Sequence, residues 1–255
     1  MKLNKPPIVE MWVEFLFDPN PSESVEPKFE FLGQFTNQYP KLEILHEDTL
    51  EFQQFSPKQL PKVVGRKVEI RHLRASDEKA TRWIHVTHNR LVCNFLRLGE
   101  GYPGFRALSE DAIAKLKSYV ERCQPLKIRQ AAIHYVDVIE IPLPENRAIQ
   151  LADYFTLGLD LPVDPFGDQL SYLLRTAVRP ADGTGALEIQ LQSESLAPDG
   201  KRLRFRMDWH KSCPYDGEID PDRILADLKR AHESIIRCFR SAFTETTWKL
   251  FDPED

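Results

Sequence analysis

Between Ile8 and Phe17 (IVEMWVEFLF) apolar residues recur at every second position. Val9, Met11, Val13, Phe15 and Phe17 share one side, and Glu10 and Glu14 take the other. Period two predicts a half-buried strand, and Trp12 and Leu16 on the glutamate side make that face only partly wet. After a Pro/Ser/Glu loop, Phe29, Leu32 and Phe35 predict a short helix that ends near Pro40. Residues 50–55 and 67–73 read as strands. Residues 81–98 read as two more, joined at His88-Asn89, where asparagine tolerates the turn backbone. Ser109 is the expected N-cap of a helix carried by Ile113, Leu116, Val120 and Cys123 and stopped by Pro125. Residues 128–141 form a long strand with Ile133, Tyr135, Ile139 and Ile141 in phase.

The stretch Pro142-Leu-Pro144 marks the best internal boundary, dividing the chain into residues 1–144 and 145–255. Beyond it the pattern predicts a short helix near 147–155, strands at 169–178, 186–194 and 202–210, and one long helix over 221–243. Asp220 caps that helix, Pro221 takes its first position, and Leu225, Leu228, His232, Ile235, Phe239 and Ala242 form its stripe. Strict βαβ alternation is missing. The fold class is therefore α+β, mainly antiparallel, with a ferredoxin-like first part and the long C-terminal helix packed on a sheet.

Composition narrows the function classes. The chain has 255 residues, 42% hydrophobic and 29% charged, which is enough apolar material for a real core. A formal charge of −5 argues against whole-molecule attraction to nucleic acid or an anionic membrane. The opening MKLNKPPIVE lacks the pattern of a signal peptide, and no stretch approaches a membrane span. Four scattered cysteines (Cys93, Cys123, Cys213, Cys238) without a CxxC pair fit reduced thiols in a cytoplasmic protein. The sequence holds no phosphate loop, no GxSxG elbow and no metal-ligand spacing, so neither a cofactor nor a metal is expected.

Three segments carry a resemblance. They are Lys5-Pro-Pro-Ile-Val-Glu-Met-Trp-Val-Glu-Phe, Ile133-His-Tyr-Val-Asp-Val-Ile-Glu-Ile-Pro142, and Leu228-Lys-Arg-Ala-His-Glu-Ser-Ile running on to Phe239, Phe243, Thr244 and Trp248. In order and spacing the chain resembles an uncharacterised prokaryotic family described only as sporadically distributed. Asp137 stands where that family usually has Asn. The resemblance implies no reaction and no site residues. It implies patchy inheritance of the kind seen near mobile elements and phage-defence loci.

Three sets of residues compete as sites. The strand Arg202–His210 alternates, with Arg202, Arg204 and Arg206 on one face as a candidate nucleic-acid strip. The glutamates of 186–194 are expected to neutralise it if the two strands pair. Two His-x-Ser/Thr triplets, His85-Val-Thr87 and His210-Lys-Ser212, resemble the paired motifs of two-histidine phosphoesterases, one His acting as base and the other as acid. That chemistry requires them to share a cleft. Tyr102, Phe105 and Phe166 lie on or beside the two loops best placed to hold a partner. The leading expectation is a non-catalytic recognition or assembly protein that acts with a protein partner. A phosphodiesterase or ribonuclease-like enzyme and a nucleic-acid binder are the alternatives.

Overall fold

The computed structural model describes residue 3 and residues 5–18, 24–53, 62–97, 102–144, 149–157, 173–179 and 185–252. Among these residues the framework is one antiparallel sheet of nine strands. In chain order the elements are β1 (Ile8–Asp18), α1 (Glu26–Gly33), β2 (Lys41–Gln53), β3 (Lys62–Ser76), β4 (Arg82–Val86), β5 (Arg90–Leu96), α2 (Gly104–Cys123) and β6 (Lys127–Pro142). There follow a single 3-10 turn (Leu151–Asp153), β7 (Leu173–Val178), β8 (Leu187–Leu196), β9 (Arg202–Gly217), α3 (Pro221–Ser241) and α4 (Glu245–Leu250). The α+β, antiparallel class stands.

Strand order is β2-β3-β4-β5-β1-β6-β9-β8-β7. It has an internal symmetry that the sequence pattern does not announce. β1 starts at the centre, a helix follows, and a meander returns its last strand, β5, beside β1 before α2. β6 also starts at the centre, a short helical turn follows, and a second meander returns β9 beside β6 before α3. The natural seam is therefore the β1/β6 pair, with its connection at Gln124–Leu126. A cut at 142–146 would part β6 from β9, which pair from Ile128–Gly217 to Pro142–Arg202.

All the helices that touch the sheet lie on one face: α1 on β3, α2 on β1 and β5, α3 on β6 and β9. Alternation then sorts the side chains. Met11, Val13, Phe15, Ile133, Tyr135, Met207 and Trp209 are buried under the helices. Their neighbours in sequence, Trp12, Glu14, His134, Asp208 and His210, stand on the opposite face, helix-free among the described residues, and are half-buried. A register shift between Ile8 and Glu10 turns Ile8 inward, so the expected inner Val9 gives up its place.

Several local expectations shift. Ser109 lies inside α2, buried, with Oγ donating to the Arg106 carbonyl, because α2 begins five residues earlier at Gly104. Pro125 still ends it, through Gln124 in the left-handed region at φ 45°. Of the helix expected near 147–155, residues 149–155 hold only the single turn, and the strands expected at 50–55 and 67–73 are, over 50–53 and 67–73, parts of a much longer hairpin; residues 54–55 and 147–148 lie outside the described residues. In α3 the buried line is Ile224, Leu228, Ala231 and Ile235, rotated from the expected stripe so that His232 and Phe239 sit at its flank. No described helix is long and apolar enough to cross a membrane.

Candidate functional site

The helix-free face carries a row of side chains running across six strands. Register places Trp83 of β4 beside Asn94 of β5, then Trp12 of β1, His134 of β6, His210 of β9 and Glu188 of β8. Neighbouring strands lie about 4.8 Å apart, and three rings in this row stack at nearly that spacing. Trp12 and His134 are 4.4 Å apart at 12°, and His134 and His210 are 4.0 Å apart at 8°. The ring faces are thus turned toward each other along the row.

A groove of about 420 Å³ opens over β6, β9, β8 and β7, walled at one end by Trp12 and at the other by Arg175. Its size suits a small ligand or a short segment of a larger one. The charges on its walls are already matched. Arg206 forks onto Asp208 (Nε to both carboxylate oxygens at 3.0 Å, Nη2 to Oδ1 at 2.8 Å), and Arg175 Nη2 donates to Glu188 Oε2 at 2.8 Å. Between them Gln190 Nε2 donates to Gln192 Oε1 at 3.2 Å.

The imidazoles in the groove are held neutral. Burial, then the neighbouring His210 ring and Arg90, push His134 down to about 3. Burial also lowers His210, against the opposing pull of Glu188 and Glu14. Each keeps a buried Nε2 with no hydrogen-bond partner among the described residues. Glu14 Oε2 stands 3.6 Å from His134 Nε2, outside hydrogen-bond reach. An unmet polar atom costs about 1–3 kcal/mol. Two of them side by side make this a place the fold does not use for stability.

The sequence-predicted sites fare differently. His85 and His210 do not share a cleft. Both stand on the helix-free face, but β5, β1 and β6 lie between their strands, a separation of roughly 19 Å at the usual strand spacing. Thr87 serves the β4–β5 turn, where its Oγ1 contacts Asn89 Oδ1 at 3.2 Å, and Ser212 sits across from Ala132. His85 instead meets His72, with Nδ1 of His72 2.8 Å from Nε2 of His85. Burial, then His72, Arg74 and Arg90, lower His85 to about 4.

The arginine strip is neutralised as expected, but by other partners. Arg202 and Arg204 both reach Glu140 of β6, Arg202 also holds Asp199, and Arg206 holds Asp208. Glu188 of β8 goes outward to Arg175 of β7. Tyr102 and Phe105 are half-buried against the core. The Tyr102 hydroxyl lies 3.4 Å from Met11 Sδ, and Phe105 of α2 stacks on His232 of α3 at 4.1 Å. Phe166 lies outside the described residues. Among the described residues no three metal-ligating side chains converge.

Sequence reasoning missed His134, since one histidine in an apolar strand carries no spacing signal. Its position opposite both Trp12 and His210 exists only once β1, β6 and β9 are in register. No known protein family, curated protein or solved structure matches the chain, so the resemblance in the three segments stands on those residues alone.

Proposed function

We propose that this chain is a non-catalytic recognition protein that holds its ligand on the helix-free face, in the groove over β6, β9 and β8. The observation that carries the reading is the neutral, stacked His134–His210 pair, set among guanidinium groups that already have their carboxylates. A general acid must hold its proton at the working pH, and an imidazole driven to about 3 does not. A neutral imidazole is still a donor at one nitrogen and an acceptor at the other. The groove thus offers neutral hydrogen-bonding groups, and His134 is not poised as a general acid. An enzyme built on His85 and His210 lacks the required proximity, and a nucleic-acid strip on Arg202–Arg206 lacks free positive charge.

Action with a protein partner, in the cytoplasm and in an accessory or phage-defence-like locus, is supported by the resemblance and by composition. A ferredoxin-like unit formed by β1, α1, β4, β5, α2 and β6, with β2–β3 as an inserted hairpin, is supported by the order β6-β1-β5-β4.

The test is what travels with the protein. The chain purified from its host under native conditions is expected to carry a bound compound detectable by native mass spectrometry. Gln190→Trp, which fills the groove from an accessible strand position, is expected to lose it. A compound retained equally by both proteins, or consumed catalytically by the wild type, contradicts the reading.

A further inference from the structure

We infer that the ligand of this groove is an uncharged carbohydrate; this rests on the reading of the groove as a binding site. Arg175 and Arg206 face Glu188 and Asp208, and each cation is hydrogen-bonded to an anion. A phosphate or carboxylate ligand would meet Glu188 or Asp208 beside each arginine, and their repulsion offsets the attraction of the guanidinium. A cationic ligand meets the mirror-image penalty. The groove selects against net charge of either sign.

Hydrogen-bonding character comes next. A guanidinium only donates and a carboxylate only accepts, so each Arg–acid pair sets a donor and an acceptor side by side. The Gln190–Gln192 pair uses one amide hydrogen and one carbonyl, leaving Gln190 Oε1 and Gln192 Nε2 as a third acceptor–donor set. A hydroxyl group donates and accepts at the same oxygen. A ring bearing several hydroxyls therefore matches a wall on which both functions alternate, without disturbing any existing pair.

The rings argue against the other neutral candidate. A nucleobase binds single-strand platforms by stacking on an open aromatic face. In this row Trp12 and His134 cover each other, and His134 and His210 cover each other. His134 has both faces taken, so the centre of the row offers no open ring face, and only the outer faces of Trp12 and His210 lie beyond the stack.

The full chain and its Gln190→Trp variant are to be compared by saturation-transfer NMR with maltotriose, cellotriose, chitotriose and xylotriose, and with adenosine and inorganic phosphate as contrasting probes. The expected result is transfer to at least one trisaccharide, with affinity falling by about tenfold or more in the variant, and none to adenosine or phosphate. Binding of adenosine or phosphate alone, abolished by Gln190→Trp, overturns the carbohydrate assignment while the groove survives as a binding site. A trisaccharide bound equally by both proteins overturns its placement in the groove. Failure of all four trisaccharides overturns the assignment, and the co-purified compound then decides the groove independently. Matching circular dichroism of the two proteins excludes misfolding as the cause of any loss.

Discussion

Four histidines on this fold are kept from protonating by burial: His85 and His232 to about 4, His134 to about 3, and His210 in the same direction. In the unfolded chain each titrates near 6.5. Between that value and the folded one the unfolded state binds more protons, so stability is present above 6.5 and is lost as pH falls below it. Asp137 works the other way. Burial, opposed by its hydrogen bond from Trp209 Nε1 at 2.8 Å, raises its carboxyl to about 7. Its native form holds a proton that the unfolded form releases above about 3.8, so its contribution is greatest in acid and fades as pH rises toward 7. Urea unfolding is therefore expected to show net destabilisation from pH 6.5 to 4.5, four groups outweighing one. Asp137→Asn keeps an acceptor for Trp209 and removes the opposing group, so the fall should steepen. A stability that is flat or rising over that window would contradict the burial of these imidazoles.

At the level of elements, two features are tied to single residues. Asp220 caps α3 by accepting from the Asp222 and Arg223 backbone amides at 3.0 and 3.2 Å. Asp220→Ala should cost ~1 kcal/mol, lowering Tm by about 2–4 °C. Gly185 precedes β8 at φ +60°, and a Cβ there would stand 2.0 Å from the Ser212 carbonyl oxygen. Its own carbonyl accepts from the fully buried Lys211 ammonium at 3.0 Å. Gly185→Ala should therefore lower Tm by more than the cap variant does, as differential scanning fluorimetry would show. The cap was legible because Asp-Pro-Asp is a local signal. The glycine was not, because its constraint comes from β9, some twenty-seven residues on. The same division explains β1, β6 and α3, whose periodicity is strong, against Ser109, whose capping chemistry was overridden by a helix that begins at Gly104.

Across the whole molecule, the groove depends on pairings between distant segments. Trp12, His134 and His210 come from β1, β6 and β9, and the two central strands belong to opposite halves of a sheet that mirrors its own order about their seam. Sequence patterns placed these residues on the polar sides of their strands, and for His210 that was already visible in the alternation of 202–210. Which polar sides would meet was not, since a sheet of nine strands admits many orders. The triplet logic paired His85 with His210 and overlooked His134, yet the histidine in the middle strand is the one that touches. The charge-neutral wall was half legible. Acids were expected opposite the arginines, but Glu140 and Asp208 supply them instead of β8.

The claim beneath this account is that the groove recognises without transferring protons. Its most direct test is an NMR titration of the imidazole resonances of His134 and His210 in the folded chain, assigned with His134→Gln and His210→Gln. Both rings are expected to titrate below 6.5, and His134 to be still neutral at pH 5. A midpoint for either ring at or above 6.5, where a general acid–base pair would be poised, would contradict it.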